Sequence, residues 1–170
     1  MNETGAGEFT LRAIDPRDER IILDAYDLLS MLGEDYLPLK DLVHHAQHHV
    51  VAGAFAGEEL LGVVVACPLS AEDFKTLEKR MNKDRFESLA LPREGGTGTI
   101  DALAVRKDWR RIAGGEGPGI GTRLILEATG RLKDLGCELI LAESWVSESG
   151  DESRHLLERQ GAEFRFEVPG

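Results

Sequence analysis

The feature that most constrains this 170-residue chain is a glycine-rich stretch set between a strand and a helix. Residues 99–105 are apolar and β-branched, the mark of a strand. From Gly121 the pattern changes to Ile125, Ala128, Leu132 and Leu135, a stripe at helical spacing with Gly136 as its stop. Between the two lie Gly114, Gly115, Gly117, Gly119 and Gly121. Such an order puts a glycine-lined helix start just past the end of a strand. Successive N–H groups there, unobstructed by side chains, make an anion site.

Charge sharpens this reading. Thirty-one acidic residues against 20 basic ones give a net charge of −11. That balance excludes a general nucleic-acid binder and gives no affinity for anionic membrane surfaces. Yet Arg106, Lys107, Arg110, Arg111 and Arg123, against Asp108 and Glu116, leave residues 106–123 with a local charge of +3. A basic island at a glycine-lined helix start points to a phosphate-bearing ligand. It is not a Walker A loop, because no Gly-Lys-Ser/Thr follows, and the spacing of Gly117, Gly119 and Gly121 breaks the dinucleotide pattern. A nucleotide-binding protein remains a third-ranked alternative.

The rest of the chain reads as one α/β domain over residues 8–170 behind a flexible tail, residues 1–7. Strand 9–14 precedes an amphipathic helix at 17–32 with Gly33 as its stop, and a second short helix follows Pro38. Residues 49–56 and 60–67 form a hairpin across Gly57-Glu58, closed by Pro68. Helix 70–90, loop 91–98, strand 99–105, helix 121–135, strand 138–146, helix 151–160 and strand 162–168 complete a mixed sheet. No apolar run approaches the ~18 residues of a membrane span, and no signal peptide is visible. Cys67 and Cys137 read as reduced, core-packed thiols, so a cytoplasmic setting is expected.

Leu103-Ala104-Val105, Trp109-Arg110 and Gly119-Ile120-Gly121-Thr122-Arg123-Leu124 resemble the acetyl-CoA loop of the GNAT superfamily of N-acetyltransferases, whose signature is Arg/Gln-x-x-Gly-x-Gly/Ala. The resemblance implies a mainly antiparallel twisted sheet flanked by helices, with strands splayed at the acyl-CoA site. It implies acetyl-CoA as cosubstrate, an amine as acceptor and no metal. By that resemblance the Leu103 N–H polarises the thioester carbonyl and Val105 bonds the pantetheine amides. Gly117, Gly119, Ile120, Gly121 and Thr122 hold the pyrophosphate, with Arg110, Arg111 and Arg123 supplying positive charge.

Three departures from the family pattern stand out. Residues 112–118 are an insertion, and Glu116 takes the signature's Arg/Gln position. The tyrosine that many members use as general acid falls at Leu157. The family usually has a further C-terminal strand; either the sheet is shorter here or a partner chain completes it, so a homodimer is one expectation.

Deprotonating the amine calls for a carboxylate. Asp101, two residues before Leu103 and expected on its face, is the first candidate, with Glu143 second. His44 and His48 share a helix face, but no third ligand accompanies them in sequence, so a surface or pocket wall is expected rather than a metal site. The reading is an acetyl-CoA-dependent N-acyltransferase. Its rival is a non-catalytic acyl-CoA-binding module, motivated by Leu157 and the insertion.

Overall fold

Two apolar runs meeting at Gly57-Glu58 seed the sheet. β1 (Thr10–Ala13), β2 (Val50–Ala56), β3 (Glu59–Pro68), β4 (Thr97–Val105) and β5 (Leu139–Ala142) lie side by side in that order. The first three neighbouring pairs are antiparallel and β4–β5 is parallel, the mixed sheet expected. β2 and β3 are buried on both faces, which is why they read as unbroken apolar runs and not as alternation. The computed structural model describes residues 8–33, 36–81, 83–93, 95–109 and 119–142. The tail 1–7, the insertion 112–118, the continuation of β5 beyond 142 and the elements expected at 151–160 and 162–168 lie outside them. No helix among the described residues is long and apolar enough to cross a membrane.

Helix α1 (Glu19–Leu29) is started by Asp18, whose carboxylate accepts from the Ile21 N–H at 3.2 Å. It presents Ile21, Ile22, Ala25 and Leu29 to the sheet. A 3₁₀ turn (Ser30–Leu32) ends it, and α2 (Leu39–His48) follows after Pro38. Both cover one face, against Val51, Phe55, Val63, Val65, Ala102 and Ala104.

The single helix expected at 70–90 is two, α3 (Ala71–Arg80) and α4 (Lys83–Ser88). Met81 leaves the helix in extended conformation (φ −115°, ψ 160°). A straight helix would hold residues 74 and 86 about 18 Å apart. The break brings Phe74 and Phe86 edge to face at 6.5 Å, burying both with Met81. The strand expected from residue 99 begins at Thr97, which the loop expectation had absorbed. Thr97 is buried and its hydroxyl donates to the Pro92 carbonyl at 2.6 Å, so a polar residue closes the start of β4.

The opposite face is covered by α5 (Ile120–Asp134), whose Ile120, Leu124, Ala128 and Leu132 pack on Val50, Ala52, Ala54, Leu61 and Val64. Close approach needs small residues beneath it. A Cβ on Gly62 of β3 would stand 3.0 Å from Ile120 and Leu124, and one on Gly98 of β4 3.0 Å from Leu132. At the far end, Gly136 (φ +101°) donates to Lys133 and Cys137 to Leu132, a Schellman ending.

Gly62→Val should therefore lift the start of α5 and cost about 1–3 kcal/mol in urea unfolding, as overpacking does. Gly130→Ala, at an open position on the same helix, should instead stabilise by about 0.5–1 kcal/mol.

Candidate functional site

The register between β3 and β4 is regular from Gly62↔Val105 to Val65↔Ala102 and then steps, because Ala66 pairs with Ile100. Asp101 is the extra residue, a β-bulge. Its effect shows in the packing: Ala102 and Ala104 face α1 and α2, whereas Ile100, Leu103 and Val105 pack on the α5 side. Plain alternation would place Asp101 with Leu103. Instead Asp101 Oδ2 accepts from Cys67 Sγ at 3.2 Å, and Cys67 lies in step with Val63 and Val65 on the α1–α2 face. The expectation that Asp101 and Leu103 share a face is thus corrected, and the bulge is the reason.

Backbone direction separates the same residues. The Arg106 N–H donates to the Leu61 carbonyl at 2.8 Å. By antiparallel alternation the backbone groups of Ala104 and Ala102 then turn to β3, and those of Leu103 and Val105 turn to the β5 side. β5 runs parallel to β4 from Thr97↔Leu139 to Ile100↔Ala142. Glu143, the next residue and the second carboxylate expected, lies outside the described residues.

Around Asp101 the fold gathers side chains from elsewhere. The Tyr36 hydroxyl donates to the Asp101 carbonyl at 3.0 Å. α2 passes into β2 through His49 alone, whose N–H still bonds the His45 carbonyl at 2.7 Å. The register Val50↔Ala66 carries His49 to a position opposite Cys67. His45, one helical turn earlier, places Nδ1 2.9 Å from Nδ1 of His49. Donor atoms of His45, His49 and Cys67 all fall within 4.8 Å of one another.

The pair that turns inward is therefore His45 and His49, while His44 and His48 are exposed with rings 4.7 Å apart. Both pairs have i, i+4 spacing, and only the helix-to-strand junction chooses between them. Burial and then the neighbouring imidazoles hold His45 and His49 below the usual histidine range. Burial and then the Asp101 charge push the Cys67 thiol well above the usual range. Cys67 is thus a hydrogen-bonded member of a polar cluster, more than the packing residue expected.

Across the sheet, Gly119 caps α5 without a side-chain bond (φ −69°, ψ 173°), and the Arg123 N–H makes the first helical bond to the Gly119 carbonyl at 3.1 Å. The N–H groups of Ile120, Gly121 and Thr122 lead the helix. The Ile120 side chain is buried, Gly121 and Thr122 are half-buried, and the Arg123 guanidinium lies over the Phe9 ring at 4.7 Å. Of the basic island, Arg106 is held by Glu59 and by Asp108 at 2.9 Å. Arg110, Arg111 and Gly117 lie outside the described residues, as does Leu157. An open cleft of about 540 Å³ lies between α1 and the β2–β3 turn, edged by Asp24, Asp27, Glu58 and Glu59, on the face away from α5.

The family model for the acetyltransferase (GNAT) family matches residues 19–162. None of the curated proteins matches the chain by sequence. Several solved structures share its fold. Aminoglycoside N-acetyltransferase AAC(6')-Iy in complex with CoA has a TM-score of 0.68 at 14% identity, covering 100% of this chain and 97% of that one. An aminoglycoside acetyltransferase, meta-AAC0020, from an uncultured soil metagenomic sample in complex with sisomicin has a TM-score of 0.65 at 15% identity, covering 95% and 93%. A ribosomal-protein-alanine N-acetyltransferase from Brucella melitensis biovar Abortus 2308 has a TM-score of 0.60 at 18% identity, covering 96% and 97%.

Reactivity checks the Asp101–Cys67 contact. Native Cys67 should resist iodoacetamide at about pH 8, since thiols react as thiolates. Asp101→Asn should raise its alkylation rate, followed by mass spectrometry, by removing the negative charge 3.2 Å from Sγ.

Proposed function

The chain belongs to the acetyltransferase (GNAT) family, and from that we propose that it moves an acetyl or short acyl group from CoA to a primary amine by direct transfer in a ternary complex. The observation that carries this reading is the division of labour along β4. The bulge turns the Asp101 carboxylate to the α1–α2 face, and beyond it Leu103 and Val105 turn their backbone to the β5 side, in line with a glycine-led helix start.

The residues fit the cosubstrate. Gly119 and Gly121 offer backbone without side chains, and the leading amides of α5 suit a pyrophosphate. When bound, acetyl-CoA supplies an acyl carbon activated as a thioester. The N–H groups of Ile120, Gly121 and Thr122, with the Thr122 hydroxyl, hold the pyrophosphate end, and Arg123 adds positive charge nearby. Val105 holds the pantetheine amides. The Leu103 N–H meets the negative charge that develops on the acyl oxygen. Roles for Arg110, Arg111, Gly117 and Glu143 rest on the family resemblance alone.

Asp101 takes a proton from the incoming ammonium, leaving a neutral amine whose lone pair forms the new C–N bond as the C–S bond breaks; the nitrogen sheds its second proton and the CoA thiolate leaves and takes up a proton, both by way of water. Because the bulge sends this carboxylate to the α1–α2 face, the acceptor approaches from that side and the thioester from the other. Tyr36 fixes the Asp101 carbonyl from the α1–α2 connection. Amine acceptors are common to the similar enzymes, and the acidic surface favours a cationic one. A cytoplasmic setting and a homodimer belong to the same proposal.

Thiol release from acetyl-CoA against a panel of amines tests it. Asp101→Asn should lower turnover by about 10²-fold or more with CoA affinity unchanged in calorimetry. Gly121→Glu should abolish CoA binding and keep the fold. CoA binding without thiol release for any amine would favour the non-catalytic module, and ATP binding without CoA binding would overturn both.

A further inference from the structure

The inward stripe of α2 begins apolar, with Leu42 and Val43, and ends in His45 and His49. The β3 positions filled by Val63 and Val65 are continued by Cys67, whose thiol meets those imidazoles.

We propose that His45, His49 and Cys67 bind a zinc-like divalent transition-metal ion on the α1–α2 face of the sheet, with water as the fourth ligand and Asp101 beside the cysteine. The donor set selects the class of ion. Imidazole nitrogen and thiolate sulfur suit zinc and its neighbours, whereas magnesium and calcium require a shell of oxygens. The size of the cage agrees. Zinc–nitrogen bonds of about 2.0–2.1 Å and a zinc–sulfur bond of about 2.3 Å set tetrahedral donors roughly 3.3–3.6 Å apart. The two imidazole Nδ1 atoms are 2.9 Å apart, and the donor atoms of His45, His49 and Cys67 lie within 4.8 Å of one another. The nitrogen–nitrogen edge opens by a few tenths of an ångström, and the edges to sulfur close from at most 4.8 Å, within reach of side-chain rotation.

Charge also closes. In the metal-free cluster one imidazole N–H serves the other ring and the thiol proton serves Asp101. On binding, Cys67 releases its proton to solvent, the donating imidazole shifts to its other tautomer, and both rings stay neutral. The thiolate on the ion and the Asp101 carboxylate beside it balance the two positive charges. The ion's ligands leave the Asp101 carboxylate, the base of the acyl-transfer reading, uncoordinated, and the test of the site reads the metal rather than turnover.

Cobalt(II) chloride added to the full-length chain is the probe. A tetrahedral cobalt ion with a thiolate ligand gives intense visible bands and a near-ultraviolet sulfur-to-metal band that the aqueous ion lacks. The expected result is saturation at one cobalt per chain, reversed by zinc. The sulfur band disappears in Cys67→Ser and persists in Cys137→Ser, since Cys137 is buried on the α5 side against the Gly95 carbonyl. Losing even an outer partner of a metal ligand costs 10–100-fold in affinity, so His45→Asn and His49→Asn should each weaken binding by about 100-fold or more. The double variant His44→Asn/His48→Asn should bind as the parent does. Circular dichroism checks the fold of each variant, and the parent spectrum decides without them. The absence of a sulfur band in the parent chain overturns the site, as does a band that survives in folded Cys67→Ser or is lost with His44 and His48.

Discussion

The geometry of β4 depends on one extra residue, Asp101, at which its register with β3 steps. A strand has only two faces, and inserting a residue exchanges them for everything on one side of the insertion. Without the bulge at Asp101, Ile100 would follow the parity of Ala102 and point at α1 and α2, and the carboxylate would lie under α5 among aliphatic side chains. With it, both ends of β4 keep their apolar residues against a core, and the one charged residue leaves on the face where Cys67 donates to its carboxylate, while Tyr36 donates to its backbone carbonyl. Strand order, core composition and site chemistry are reconciled by that single step in register.

The other half of the site depends on what is missing beneath α5. Gly62 and Gly98 let the helix rest on the sheet at a distance that any larger residue would refuse. The position of its first turn is thereby set by contact with β3. A helix start proposed to hold an anion must be fixed relative to the strand proposed to carry the rest of the ligand, and close packing supplies that fixity.

Much of this was legible in the sequence. Unbroken apolar runs identified β2 and β3, helical stripes identified α1, α2 and α5, and the glycine-led entry at 119–121 marked the start of α5. Other features had no local signal. A bulge is a property of two strands in register, so nothing near Asp101 betrays which face it takes. The break at Met81 answers to the meeting of Phe74 and Phe86, which periodicity within one segment does not encode. The His45–His49–Cys67 group was hidden for the same reason: its third member is supplied by strand pairing, and its first two were outcompeted by the equally spaced His44 and His48. Spacing along the chain finds donors on one element and is blind to those that pairing brings in.

The passage from α2 into β2 has no loop in it. A helix welded to a central strand has no hinge at that end, since any rotation of its last turn must drag the register of β2 and, through it, of β3. The stretch 36–38 that leads into α2 at the opposite end lies outside any strand register and touches β4 through the Tyr36 hydroxyl. Divergence among relatives in what this face accommodates should accordingly collect in that stretch, while the His49 junction behaves as part of the scaffold.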